Sequence, residues 1–479
     1  MNLGNLRPLF PAFLLGLLLA PGCGGDDDSD PASGGSGGQS GTGGTGATGG
    51  SGGGTGGTGG TQTGGTGGTE TGGTGGATGG SGGGETGGTG GQTGGSGGAS
   101  GAAGEAGNAG QAGTGGAGGC TRSPGPDDFA RKIVVAHDKG PGGVEANLYE
   151  VLDLSVSGQI TRPNVTFEMG PGEGEIVFTP DGQVGLALQG QAAYRSIGVF
   201  RFDENGDPVV VHAAFEPTFY PHKIIMHPSG AFAYVLDGQW VNNGGGIYRL
   251  DIGCDGSVTE GGKILEAKLP YELILLGGDR AFLTSSEFLG SSASEEAHLI
   301  DLTSPPVRVA SSDAFGDDES IVVSTAVTAD GKYALLGDDS MFGGARVGVV
   351  QIDGNSLAFE QVVTSVPAPV ALVPSPNNDV VLVVSEYPDD LHVLDYDPTA
   401  ASNPFSMRGK LTYVGEGPAL PSTAVMIERG SLAGHVLVAE LYGVRQVRFT
   451  DGGEGVEDAG LFETGQTFPD NVGAVGVQK

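Results

Sequence analysis

The sequence predicts an all-β fold: a seven-bladed β-propeller whose C-terminal strand completes the N-terminal blade, set behind a disordered glycine-rich linker. Three observations carry the prediction. A turn of the Pro-Asp-Gly kind recurs at a pitch near fifty residues, short apolar runs of period two lie between its copies, and the two ends of the repeat region are complementary half-units.

The turns are Thr179-Pro180-Asp181-Gly182 and His227-Pro228-Ser229-Gly230, then degenerate copies at Leu276-Gly277-Gly278, Ala329-Asp330-Gly331, Pro376-Asn377-Asn378 and Glu428-Arg429-Gly430. Their middle residues are spaced by 48, 48, 53, 47 and 52 positions. Each turn leads into a β-branched run such as Phe232-Ala233-Tyr234-Val235-Leu236 or Val380-Val381-Leu382-Val383-Val384. An alternating run ending in Asp follows, as in Ile247-Tyr248-Arg249-Leu250-Asp251, and then a Gly-bearing turn and a fourth run, as in Asp255-Gly256-Ser257-Val258. Four strands per unit of about 50 residues is the sequence mark of a propeller blade. One step back from Asp181 falls in Lys132-Ile133-Val134-Val135-Ala136, a second strand without a first. One step forward from Arg429 reaches the stretch after Val472-Gly473-Ala474-Val475-Gly476-Val477, a first strand without a turn. Joining the two closes the ring and leaves no open sheet edge.

The motif Pro-Asp-Gly, Ala-Tyr-Val, Tyr-Arg-Leu-Asp-Ile resembles the seven-bladed lactonase-like and surface-layer-type (YVTN-like) propellers over residues 130–479. That resemblance implies the fold. On activity it leaves both lactone-cleaving enzymes and non-catalytic surface proteins open.

The region ahead of the repeats has a different physics. Residues 24–119 hold 49 glycines and no Lys, Arg or aromatic residue, too little apolar surface to offset the entropy of ordering. Before it, Arg7 precedes an apolar run from Leu9 to Ala20 that ends at Pro21-Gly22-Cys23. Twelve residues in a helix cover roughly 18 Å, short of a hydrocarbon core of about 30 Å, so the run reads as an export signal. Small residues before Cys23 resemble the bacterial lipoprotein processing box. The expected organisation is a signal peptide over 1–22, a linker over 23–119 lipidated at Cys23, and the propeller over 120–479. The expected location is the cell envelope, on an outer membrane, facing periplasm or exterior.

The chain carries 56 acidic against 22 basic side chains, of which 49 and 21 fall in residues 120–479. A polyanion would be repelled, so nucleic acid is excluded as a partner. The expected function is non-catalytic: a lipid-anchored monomer that binds a protein, glycan or peptide through one face, with a lactonase-like hydrolase or isomerase sited at the channel mouth as the alternative. With export, the two cysteines besides Cys23, Cys120 and Cys254, suggest a disulfide.

Blade topology places the connections after the second and fourth strands on the face opposite the Pro-Asp-Gly turns, and binding loops favour such connections. Six residues before each turn's middle stand Glu175, Lys223, Tyr271, Ser324, Ala371 and Thr423, with His222 beside them. At the ends of the second strands stand Gln189, Asp237, Ser285, Asp338 and Ser385. Lactonase-like chemistry would use His222 or Glu175 as a general base and Asp237 or Asp338 to hold a water or cation. Lys223, Tyr271, Asp338, Trp240 and Tyr220 are the ligand-binding candidates, and Phe219, Phe288, Phe342, Tyr387 and Tyr442 add aromatic surface on the same loops. The bland alternative is a water-filled channel whose mouth is polar by default, with His222 pinning its own loop. For metals, Asp203-Glu204-Asn205-Gly206-Asp207 starts like a calcium loop but reads as an Asn-Gly hairpin turn. Asp317-Asp318-Glu319 is the calcium candidate, and no cofactor is otherwise called for.

Overall fold

The computed structural model describes residues 120–137, 147–189, 196–238, 245–285, 295–316, 320–338, 345–386, 388–450, 455–464 and 472–479. Cys23, Trp240, Phe288, Asp317, Asp318, Glu319, Phe342 and Tyr387 lie outside them.

The described residues form seven four-stranded antiparallel sheets. Blade 1 takes its innermost strand, Val472–Val477, from the C-terminal end and continues outward through Arg131–His137, Leu148–Leu154 and Ile160–Glu168. Blades 2 to 7 run outward in chain order from inner strands Gly172–Phe178, Pro221–Met226, Pro270–Gly277, Val322–Val327, Pro369–Pro374 and Ala424–Met426. These inner strands contact one another in a closed cycle, so they wall a central channel. The closure has the expected partners: Ile133 faces Val477 and Val135 faces Val475.

Second strands are buried along their length, as in Val184–Gln189, Tyr333–Asp338 and Val380–Ser385. The cause is packing on both faces against neighbouring blades, which is why these runs read as continuous β-branched stretches rather than as alternation. One such interface joins Leu186, Ile197 and Val199 of blade 2 to Ile224, Val235 and Leu250 of blade 3. Outer strands such as Ile160–Glu168 alternate, because one row of side chains meets water.

The recurring turn has a hydrogen-bonded basis. Gly182 N donates to Thr179 O (2.7 Å), the Thr179 hydroxyl donates to Asp181 Oδ1 (2.6 Å), and Gln183 N donates to the same oxygen (3.0 Å). Gly182 sits at φ 69°, a left-handed conformation that glycine adopts without a steric penalty. Thr328-Ala329-Asp330-Gly331 repeats the pattern. Blade 4 departs from it: Gly277 pairs directly with Arg280, so only Gly278 and Asp279 form the connection.

On the turn face, residues 120–130 cross from blade 3 to blade 7. Cys120 is disulfide-bonded to Cys254, and Cys120 N donates to Ile252 O (2.8 Å). Arg122 pairs with Asp181 (3.0 Å), Arg429 Nη1 donates to Gly125 O (3.0 Å), and Ser431 N donates to Asp128 Oδ1 (2.6 Å). Gln478 N donates to Lys132 O (3.0 Å) and Lys132 N to Gln478 Oε1 (2.9 Å), which ties the closing seam, while Gln478 Nε2 reaches Gly182 O of blade 2 (2.8 Å).

Candidate functional site

The inner strands enter the channel at the mouth opposite the turns, and five carry a register shift near that end. It falls between Gly172 and Ile176, Pro221 and Lys223, Pro270 and Glu272, Val322 and Ser324, and Pro369 and Ala371. A bulge gives the inner strand an extra residue and re-aims its side chains. Just below the shifts, one level of the channel is set by pairing: Lys223 opposite Leu236, Glu272 opposite Thr284, Ser324 opposite Gly337, Ala371 opposite Val384. Glu175, next to the Ile176–Ala187 pair, and Thr423, whose carbonyl accepts from Ala439 N, continue it.

Three of these residues form one charge cluster. Lys223 Nζ stands 3.1 Å from Glu175 Oε2 and 2.9 Å from Glu272 Oε2, bridging blades 2, 3 and 4. The other Glu175 oxygen accepts from Ile224 N (2.6 Å), which fixes that carboxylate to blade 3. The cluster remains within reach of water, with side-chain exposures of 29% for Lys223, 19% for Glu175 and 15% for Glu272. Burial raises the Glu272 carboxyl to about 7; attraction to Lys223 opposes the rise and repulsion from Glu175 adds to it. Burial acts against the Lys223 ammonium, but the two carboxylates outweigh it and hold the proton on. His222 is depressed to about 4, by burial first and by Lys223 second, so the imidazole is neutral at neutral pH.

The bulge residues link blades 3, 4 and 5. The His222 and Tyr271 rings lie 5.0 Å apart, and Tyr271 OH donates to Val323 O (2.7 Å). The structure therefore brings Glu175, Lys223, His222 and Tyr271 to one sector of the mouth. Tyr271 sits at the bulge, and the channel level expected for it belongs to Glu272. The reason is the two-residue turn of blade 4, whose centre falls later than a Pro-Asp-Gly turn would put it. The signal that could have found Glu272 is Pro221-His222-Lys223 against Pro270-Tyr271-Glu272, the same Pro-x-charged start on consecutive blades.

Asp237 and Asp338 have a different setting. Both are buried at the ends of second strands, where each carboxylate receives the chain arriving at its own inner strand: Tyr220 N donates to Asp237 (3.1 Å) and Ile321 N to Asp338 (2.8 Å). Asp338 also accepts from Arg346 Nε (2.7 Å), and Glu440 in blade 7 repeats the device with Ala419 N (2.8 Å) and Arg445 Nε (3.0 Å). A buried carboxylate whose lone pairs meet backbone N–H groups is a clamp. Tyr220 enters the clamp of Asp237 through its backbone. Phe219 is buried and stacked on Tyr248 at 3.9 Å, whereas Tyr442 is half exposed.

Asp203–Asp207 is a hairpin turn, with Asp203 Oδ1 accepting from Asn205 N (2.8 Å) and Asp207 N (2.9 Å). Among the described residues no group of three His, Cys, Asp or Glu side chains is arranged to hold a metal ion.

No protein-family model matches the chain, and no curated protein matches it. Solved structures do. A protein from Lactobacillus plantarum superposes with a TM-score of 0.53 at 12% identity, covering 73% of this chain and 100% of its own. A putative 6-phosphogluconolactonase from Bacteroides uniformis gives 0.51 at 13%, covering 73% and 99%. A periplasmic gluconolactonase from Pseudomonas aeruginosa gives 0.52 at 15%, also covering 73% and 99%. At such identities the likeness is one of fold: the chain has the seven-bladed propeller architecture that lactonase-like proteins use.

Proposed function

We propose that the protein is a lactone-hydrolysing propeller of the cell envelope, with its chemistry at the Glu175–Lys223–Glu272 cluster. The observation that carries this reading is a carboxyl group, Glu272, raised to about 7 at a channel mouth and 2.9 Å from an ammonium. A group with a pKa near the working pH is suited to both accepting and returning a proton. Two similar folds bear gluconolactonase or phosphogluconolactonase names, which is in keeping with the reading.

In the proposed reaction Glu272 takes a proton from water, whose oxygen forms a bond to the lactone carbonyl carbon. The Lys223 ammonium faces the negative charge that develops on the carbonyl oxygen; two of its three donors are accounted for by the carboxylates. The ring C–O bond then breaks, and the departing alkoxide recovers the proton from Glu272, leaving a hydroxy acid. Glu175 is a positioning residue that holds Lys223. Neutral His222 shapes the rim. The test is a panel of small lactones: hydrolysis that falls about a hundredfold or more in Glu272→Gln supports the reading. Absence of hydrolysis across the panel removes it.

A second reading, capture of a protein, glycan or peptide without catalysis, is favoured by one observation. Val414 and Tyr442 are 65% and 49% exposed on segments that are firmly held, since Val414 N donates to Asp458 (2.7 Å) and Leu441 N to Ala419 O (2.8 Å). A glycan or peptide array binding the wild type but not Tyr442→Ala would favour it.

The anchored organisation belongs to the same proposal: export by residues 1–22, lipidation at Cys23, and a linker over 23–119 that leaves a monomeric propeller solvated beside the outer membrane. Membrane fractionation of Cys23→Ala decides it, since retention in the membrane fraction would refute lipidation. Calcium at Asp317, Asp318 and Glu319 is a separate proposal, checked by calcium calorimetry against a triple Asn/Gln variant.

A further inference from the structure

Resting on the lactone reading, we infer that the channel mouth selects uncharged lactones and rejects phosphorylated or carboxylated ones. The cluster contains two carboxylates and one ammonium within 3.1 Å, so Lys223 is already neutralised and one negative charge is left over while both carboxylates are ionised. A cation that bound an anionic substrate would need to be free to pair with it. Lys223 keeps one donor for a carbonyl oxygen, but its charge is already balanced by Glu175 and Glu272, so a second anionic group gains no net attraction there.

The rest of the channel level adds no compensating positive charge, since Ser324, Ala371 and Thr423 continue it around blades 5, 6 and 7. The surrounding connections reinforce the sign. Glu216, Glu295, Asp313, Glu386, Asp389 and Glu416 stand on segments reaching this face. On the same side Arg346 is paired with Asp338 at 2.7 Å, and Lys268, exposed on the connection into blade 4, is a single base set against those six acids. A cleft lined by one sign of charge focuses its field and lowers the local concentration of like-charged solutes. The whole chain, at −34, acts in the same direction.

Conversely, the uncharged hydroxyls of a sugar lactone are good partners for carboxylates, which accept hydrogen bonds at both oxygens. The structure thus assigns the mouth to a neutral polyhydroxylated lactone, not to its phosphate ester.

The experiment compares glucono-δ-lactone with 6-phosphoglucono-δ-lactone on the full exported chain, by kcat/KM and by calorimetric binding. The expected result is a preference of roughly tenfold or more for the uncharged lactone, shrinking at higher salt. Glu175→Gln, which keeps an acceptor for Ile224 N while removing one charge, should reduce the preference severalfold. Equal or better use of the phosphorylated lactone overturns this inference and leaves the lactone reading standing. Hydrolysis of neither removes the lactone reading, and the inference is then judged by binding alone: tighter binding of the phosphorylated compound, or of neither, refutes it.

Discussion

Lys223 Nζ and Glu272 Oε2 are 2.9 Å apart although 49 positions separate them in the chain, because the bulges of blades 3 and 4 deliver both to the same level of the channel. Each sets the ionisation of the other. Lys223 pulls the Glu272 carboxyl down while burial and Glu175 push it up.

If Glu272 is the general base, kcat/KM for a lactone should rise with pH through about 7 and then level off, since the ionised form is the active one. Lys223→Met removes the stabilising charge and should move that inflection to higher pH as well as lower the plateau. A pH–rate profile of the two proteins measures both effects. An inflection that stays in place would show that Lys223 does not tune the base.

His222 has the opposite sign of linkage. Its folded-state value of about 4 lies below its ordinary 6.5, so the stability it contributes is complete above pH 6.5 and is lost as pH falls through 4. His222→Phe should therefore flatten the fall in Tm between pH 6.5 and 4 relative to the wild type. Parallel curves for the two proteins would show that the imidazole is not held neutral by the fold.

The Asp338 clamp should be costly to break. Its carboxylate is fully buried and faces an Arg346 side chain that is 13% exposed, so Asp338→Ala removes the carboxylate to which both the Arg346 guanidinium and the Ile321 N–H donate. A loss of about 3–5 kcal/mol in urea unfolding is expected. Asp237→Ala, which takes the acceptor from the Tyr220 N–H, should cost about 1–3 kcal/mol.

The Cys120–Cys254 disulfide closes a stretch of 134 residues that includes the three outer strands of blade 1, all of blade 2 and the three inner strands of blade 3. Reduction, or Cys120→Ser with Cys254→Ser, should lower stability by about 2–4 kcal/mol while leaving the blades assembled. Denaturant unfolding with and without reductant, followed by circular dichroism, tests this. The seam itself is held independently through Ile133–Val477 and Val135–Val475, so truncation before Val472 should cost far more than reduction.

Much of the architecture was legible in the residues. The Thr-x-Asp-Gly turns, the four-run units and the matching half-blades around Val135 and Val475 are local or periodic features, and periodicity survives in a linear string. Glu175, Lys223, His222 and Tyr271 were legible as a channel sector for the same reason. Asp237 and Asp338 were visible as polar positions at strand ends, but nothing local distinguishes a ligand-facing carboxylate from one that receives a backbone N–H of the same blade.

By itself, then, the sequence determined the repeat, its count and the closing of the ring, because turn chemistry and the burial of second strands on both faces impose a pattern on every unit. Only the tertiary structure decided that Glu272, not Tyr271, completes the charge cluster. One two-residue turn at Gly278-Asp279 shifts the strand by a single position, and a shift of one in an extended strand exchanges which side chain meets its neighbour.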